Sequence, residues 1–385
     1  MFKRIINLEL LKEESGFLWG PRQSGKSTLL RNCFPQARYY DLLLSPQYRR
    51  LLQNPEILRQ ECENAGLNGE NQGQPVVIDE IQKIPELLNE VHWLIENRGL
   101  RFLLCGSSAR KVRRGHANLL GGRAVRFELF ALVFPEIPDL NLEQALNAGL
   151  LPRHYQSKHW QRLLQAYIGD YLQEEIAAES LTRNLPAFSR FLEVAAQSCG
   201  EIVNYANIAS ECGVSAPTVR GYYEIAQDTL IGSFLPAYRK RAKRRQILAP
   251  KFYLFDTGVT GFLAKQGRLL QGSEMFGKAF EQYIVHEVRS HSSYSEKFYP
   301  VSYWKSASGI EVDLVLGDNE IAIEIKSSDM IRPRHLKGLR AIKEEYAVGR
   351  ALAVSLDPSP RTTEDGIEIV PWRHFLEQLW SGGIL

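Results

Sequence analysis

Cysteine is sparse in this chain: Cys33, Cys62, Cys105, Cys199 and Cys212 are five in 385 residues, and no two stand at metal-ligand spacing. An odd, scattered set argues against a disulfide framework and a thiolate metal site, and suits a reducing cytoplasm. Long apolar runs are absent too, so no bilayer-spanning segment and no membrane partner are expected. Met1-Phe2-Lys3-Arg4 leads into acids rather than into the apolar core of a signal peptide, which also points to a cytoplasmic chain. Net charge is only +3, from 47 Lys and Arg against 44 Asp and Glu, too little on its own to imply nucleic acid. With 44% hydrophobic and 24% charged residues, the composition is that of an ordinary soluble globular protein. The length suits about two or three domains.

What is present begins with an octapeptide, Gly20-Pro21-Arg22-Gln23-Ser24-Gly25-Lys26-Ser27, followed by Thr28. It fits the phosphate-binding pattern G-x-x-x-x-G-K-[ST]. Gly20 and Gly25 permit backbone dihedrals closed to other residues, so that N–H groups converge on a triphosphate. Lys26 reaches the β- and γ-phosphates, and the Ser27 hydroxyl is a Mg²⁺ ligand. Residues 16–19 read as an apolar strand and residues 27–33 as a helix start, placing a partially positive helix end beneath the phosphates.

Val76-Val77-Ile78-Asp79-Glu80 reads as a buried parallel strand ending in two acids. At that sheet edge Asp79 would hold Mg²⁺, directly or through water, and Glu80 would polarise the attacking water. A further strand, residues 101–105, ends in Gly106-Ser107-Ser108. Ser107 or Ser108 can sense the γ-phosphate there, and the pair also suits a cap on a helix starting at Ala109. Arg123, in Leu119-Leu120-Gly121-Gly122-Arg123, is a candidate for neutralising transition-state charge, within the chain or across a subunit contact; a plain surface arginine is the alternative.

Residues 1 to about 140 alternate short apolar strands, among them one ending in Tyr39-Tyr40-Asp41, with helices over 45–65 and 85–97. Pro135 and Pro138 mark a boundary. The stretch 142–265 is mainly helical, over 160–179 and 188–198. It then shows a helix at 205–209, a Cys212-Gly213-Val214-Ser215 turn and a second helix over Pro217-Thr218-Val219-Arg220, a helix-turn-helix signature. Residues 229–239 and 252–255 would form a wing hairpin. Its basic tip is Arg239-Lys240-Arg241-Ala242-Lys243-Arg244-Arg245, and Arg110-Lys111-Val112-Arg113-Arg114 is a second basic run. These are phosphate-backbone footprints or solvated loops. Arg220 is the one base on the recognition-like helix, so this element either contacts DNA or serves as a packing module.

From about residue 270 the pattern changes to a helix over 275–291, strands at 303–305, 311–316, 320–326 and 350–356, and a helix over 333–345. Glu281 lies on the first helix, Asp313 on a strand, and Glu324 and Lys326 share one face of the next strand by their spacing of two. Asp313 and Glu324, completed by Glu281, would bind a second Mg²⁺, with Lys326 orienting or deprotonating water for phosphodiester hydrolysis. The alternative is an ion-paired cluster without catalysis.

Taken together, these residues resemble a prokaryotic family of AAA-type P-loop ATPases. In that family a winged-helix segment and a C-terminal domain of unknown function, similar to the restriction-endonuclease (PD-(D/E)xK) fold, follow the ATPase domain. The resemblance rests on residues 20–28, 77–82, 106–108, 122–123, 277–287, 311–313 and on Glu324-x-Lys326. It implies an α/β chain with an AAA-type parallel sheet at 1–140, a helical winged-helix domain at 141–268 and an α/β nuclease-like domain at 269–385. It implies Mg²⁺-ATP binding at Gly25, Lys26, Ser27 and Asp79, carries Arg123 as the family's glycine-arginine position, and leaves assembly into a homo-oligomer open. Three functions are expected to compete: a DNA-linked ATPase, an ATP-gated metal-dependent nuclease of genome defence, and a nucleotide-dependent regulator or scaffold that binds a protein partner.

Overall fold

The structure, a computed structural model, describes residues 2–69, 73–108, 120–171, 184–240 and 245–385. Two compact units divide the chain: residues 3–131 with 225–231, and residues 132–224 with 232–385 and Phe2.

The first unit is built on a five-stranded sheet in the order β2-β3-β4-β1-β5. Its strands are β1 (Ser15–Trp19), β2 (Tyr39–Asp41), β3 (Val76–Asp79), β4 (Phe102–Gly106) and β5 (Ala124–Glu128). All the pairings are parallel. The connecting helices are α1 (Lys26–Cys33), α2 (Ser45–Gln53), α3 (Ile57–Asn64) and α4 (Leu87–Arg98). The expected helix over 45–65 is thus two helices, parted at Asn54-Pro55, because proline's restraint on its predecessor favours a helix end there.

Apolar side chains of this sheet alternate between two cores, as a period of two requires. Phe17, Trp19, Val76, Ile78, Phe102 and Leu104 join one cluster, and Leu18, Val77, Leu103 and Cys105 the other. Burial on both faces explains why these strands read as unbroken apolar runs. The order has a functional consequence. β4 lies between β1 and β3, so the chain leaves all three strands at one sheet edge.

The second unit opens with the short helices α5 (Leu142–Ala148), α6 (Pro152–Gln156) and α7 (Trp160–Ala166). The helix expected over 160–179 passes after Ala166 into a π-turn, Tyr167–Tyr171, and its remainder lies outside the described residues. Next come α8 (Leu185–Gln197), α9 (Tyr205–Cys212) and α10 (Ala216–Asp228), whose last residues belong to the first unit. Asn204 caps α9 by accepting from Ala206 N and Asn207 N, and Gly213 ends it in the left-handed region at φ 66°. Ser215 Oγ accepts from Thr218 N at the start of α10. β6 (Gly232–Leu235) and β7 (Lys251–Leu254) form an antiparallel hairpin.

After α11 (Thr257–Leu263) and α12 (Glu274–Tyr294) comes a six-stranded sheet, β12-β13-β11-β10-β9-β8. Its members are β8 (Val301–Lys305), β9 (Glu311–Leu316), β10 (Ile321–Lys326), β11 (Arg350–Ser355), β12 (Arg361–Thr362) and β13 (Ile367–Pro371). Helix α13 (Lys337–Glu345) covers one face through Leu339 and Ile342, and α14 (Trp372–Trp380) closes the chain.

Residues on both sides of position 268 fall in the second compact unit. Gln282 Nε2 donates to Leu254 O at 2.8 Å, Tyr238 N donates to Tyr303 O at 2.7 Å, and Lys251 of β7 pairs with Glu281 of α12, so the hairpin and the six-stranded sheet share one unit. Among the described residues no helix is long and apolar enough to cross a membrane.

Candidate functional site

The loop 20–25 joins β1 to α1 and is the centre of the first site. Gly25 takes φ 95°, the left-handed region glycine favours. Gly20 is not in that region; its glycine is needed for space, since a Cβ there would lie 2.5 Å from Leu129 O. Gln23, at φ 59°, takes the second left-handed conformation that the sequence had assigned to Gly20. Arg4 holds the loop from outside, donating from Nη1 to Ser24 O at 2.6 Å. Lys26 Nζ folds back to Gly20 O (2.8 Å) and Pro21 O (3.0 Å), capping its own loop. Thr28 continues the first turn of α1.

Across the sheet edge, the Ser27 hydroxyl donates to Asp79 Oδ2 at 2.6 Å, and the Tyr39 hydroxyl, from β2, donates to the same oxygen at 2.6 Å. Asp79 is buried, and its Oδ1 has no hydrogen-bond partner among the described residues. A hard, buried carboxylate oxygen beside a serine hydroxyl is a donor set that suits Mg²⁺. Burial, and then the bond to Asp79, push the Tyr39 phenol up, so it remains a donor. The buried Cys105 thiol is likewise pushed up, by burial and by Asp79.

Glu80 follows in the left-handed region at φ 61°, a strained choice for a side-chain-bearing residue that re-aims the chain at the end of β3. Its carboxylate accepts from Gln82 Nε2, which also donates to Ser107 Oγ at 3.1 Å. Burial raises the Glu80 pKa while Lys26 opposes the rise. A chain of contacts thus runs from Glu80 through Gln82 to the end of β4. It reaches Ser107; Ser108, the other candidate sensor, is buried beside it. Ala109 lies outside the described residues.

Arg123 is not brought to this site. β5 runs parallel to β1 with Ala124 opposite Ser15, so Arg123 enters the sheet at the edge remote from the phosphate loop. About 13 Å of strand separates the two edges. There Arg123 pairs with Glu96 at the end of α4. Arg123 therefore lies away from the phosphate loop of its own chain.

The C-terminal residues do assemble. Lys326 Nζ lies 2.6 Å from Glu324 Oε1 and 3.6 Å from Asp313 Oδ2, and Asp313 Oδ2 also accepts from Ile325 N at 2.7 Å. Glu281 Oε1 accepts from Tyr253 Oη (2.6 Å) and Lys251 Nζ (3.2 Å). Among the described residues, no group of three or more His, Cys, Asp and Glu is arranged to hold a metal ion, as in the ion-paired alternative. Ammonium groups occupy the carboxylates instead.

Of the basic residues, Arg220 stacks its guanidinium 5.0 Å from the Tyr205 ring centroid, and Lys240 pairs with Asp318 at 3.0 Å. Arg239 and Arg245 are exposed, while Arg241, Lys243 and Arg244, like Leu119 and the basic run 110–114, lie outside the described residues.

Tyr39, Gln82, Arg4 and Lys251 were not legible as site residues. Tyr39 is visible in sequence only as a strand end; that it faces Asp79 follows from the register Asp41↔Asp79.

Residues 12–138 match the family model described as AAA domain. Residues 139–269 and 276–375 match two models described as domains of unknown function, DUF8612 and DUF4143. Two uncharacterized mycobacterial proteins, from Mycobacterium bovis and Mycobacterium tuberculosis, are each 25% identical over 324 residues, which are 80% of this chain and 69% of theirs. Among solved structures, a Walker-type ATPase of Pyrococcus abyssi aligns with 66% of this chain and 93% of its own, at 15% identity and TM-score 0.45. A signal-transduction ATPase with a tetratricopeptide repeat sensor from Pyrococcus horikoshii aligns with 75% of this chain and 49% of its own, at 15% identity and TM-score 0.22. The AAA match coincides with the parallel sheet, the phosphate loop and the Ser27–Asp79 contact, and together these support a P-loop ATPase fold for residues 12–138.

Proposed function

We propose that the chain binds Mg²⁺-ATP at residues 20–28 and hydrolyses it to ADP and phosphate. The observation that carries this reading is the meeting of Ser27 and Asp79 at 2.6 Å, with Glu80 next in the chain and Lys26 at the start of α1 folded back over its loop. The loop amides and the N-terminus of α1 receive the phosphates. Lys26 exchanges its two carbonyl partners for phosphate oxygens, gaining charge-assisted bonds. Ser27 and Asp79 would hold Mg²⁺, which when bound neutralises charge on the β- and γ-phosphates. Glu80 orients the attacking water and accepts its proton; burial raises its basicity toward that task. Gln82 holds the Glu80 carboxylate and reports to Ser107. Phosphate release by the purified chain with Mg²⁺, set beside Lys26→Ala, tests the reading; equal release from both would refute it.

A second reading, that ATP controls DNA binding, is favoured by the capped α9–α10 pair with its glycine turn and the β6–β7 hairpin behind it. Its test is hydrolysis with and without duplex, single-stranded and branched DNA. Stimulation, with binding that weakens steeply in salt, supports it; indifference to every form removes it and leaves a protein-partner regulator.

A further inference from the structure

Lys251 is the first residue of β7, yet its side chain leaves the hairpin for the acidic cluster of the C-terminal sheet. It is 4% exposed. Its Nζ lies 2.5 Å from Glu311 Oε1 and 3.2 Å from Glu281 Oε1, and sits 5.4 Å from the centroid of the Tyr303 ring. Burial alone would lower the Lys251 pKa, but Glu281, Asp313 and Glu311 outweigh it and raise it, so the ammonium stays charged. Carboxylate oxygens from two elements converging on one buried cation, with a third carboxylate near, is the environment a divalent ion would demand. Here a lysine fills it.

Charge balance points the same way. The carboxyl groups of Glu281, Glu311, Asp313 and Glu324 face the ammoniums of Lys251, Lys305 and Lys326. Lys305 Nζ takes the other Glu311 oxygen at 2.6 Å. Four carboxyl groups thus face three ammoniums, so most of the cluster's negative charge is already neutralised from within the chain.

We propose that the Lys251 ammonium is a built-in cation that replaces a divalent metal in this cluster, so that the C-terminal unit is assembled without metal and does not cut phosphodiesters. The neutralising group comes from the hairpin and the acids from α12 and β9, so the same ion pairs fasten the hairpin to the sheet. A cavity of about 410 Å³ lined by Lys251, Lys305, Glu281 and Glu311 adjoins the cluster and would admit an ion if the lysine were removed. The inference is independent of the ATP site.

The experiment uses the full, nucleotide-free chain and Mn²⁺ alone as probe, read by calorimetric titration and thermal unfolding. Wild type and Lys251→Arg are expected to show no Mn²⁺ binding that depends on Glu281. Lys251→Met, with Glu281 and Glu311 relieved of the Lys251 ammonium, is expected to bind Mn²⁺ at least about tenfold more tightly than wild type. It should also unfold at a higher temperature when Mn²⁺ is added, and Glu281→Gln in the same chain should cancel both gains. Two results overturn the proposal: a folded Lys251→Met that gains no Mn²⁺ affinity, or wild-type Mn²⁺ binding or DNA cleavage that is lost in Asp313→Asn. The wild-type arm decides by itself if Lys251→Met does not fold.

Discussion

The Ser27 hydroxyl donates a 2.6 Å hydrogen bond to Asp79 Oδ2, tying the loop after β1 to the end of β3 across the intervening β4. Residues 52 positions apart meet because parallel strands deliver their C-terminal ends to one edge. The expected consequences follow from which atoms meet there.

Asp79 and Glu80 divide the work, so their variants should fail differently. Asp79→Asn weakens the Mg²⁺ donor set and should raise the Mg²⁺ concentration needed for nucleotide binding. Glu80→Gln should keep nucleotide affinity and lower kcat by about a hundredfold or more. Titration with a fluorescent nucleotide beside steady-state phosphate release separates the two; the same defect in both variants would contradict the division.

Tyr39 donates to a buried carboxylate, and such bonds contribute more than neutral ones. Tyr39→Phe should therefore destabilise the nucleotide-free chain by about 1.5 kcal/mol. Denaturant unfolding measures it, and an unchanged midpoint and slope would show the hydroxyl to be dispensable.

Arg123 lies at the far sheet edge with Glu96. Arg123→Ala should leave nucleotide affinity within about twofold of wild type, well under the tenfold that 1.4 kcal/mol represents. A tenfold loss in dilute protein would mean that the arginine reaches the phosphates of its own chain after all.

Glu287 on α12 supplies a pH dependence. Phe134 N donates to its Oε1 at 2.9 Å and Trp380 Nε1 to its Oε2 at 2.8 Å, yet burial outweighs these donors and raises its pKa from 4.5 to about 8. Between those values the folded chain keeps a proton that the unfolded chain releases. Stability from this group is therefore fullest below 4.5 and declines as pH rises toward 8. Glu287→Gln should flatten that part of the thermal-stability profile; a parallel, unflattened profile would show that Glu287 is ionised in the fold.

How far the sequence reveals this site depends on whether a role is written in residue identity or in register. The phosphate loop is a local pattern, and β3 announces itself by an apolar run ending in acids, so Lys26, Ser27, Asp79 and Glu80 were accessible without coordinates. Tyr39 and Gln82 act through strand pairing and a tight turn at Glu80, which no local pattern encodes. Arg123 stays open for the complementary reason: a glycine-arginine pair before a strand does not say at which edge that strand begins. Glu281, Asp313, Glu324 and Lys326 were legible as a cluster, but the buried Lys251 that joins it through Glu281 lies 30 residues away on a hairpin expected only to form a wing.

The most direct measurement is Mg²⁺-dependent phosphate release from ATP by the purified chain, run beside Lys26→Ala and Glu80→Gln, with nucleotide binding recorded on the same samples. The account predicts hydrolysis by wild type, loss of at least about a hundredfold in both variants, and nucleotide still bound by Glu80→Gln. Release that is the same in all three chains, or a wild type that binds no nucleotide, would contradict it.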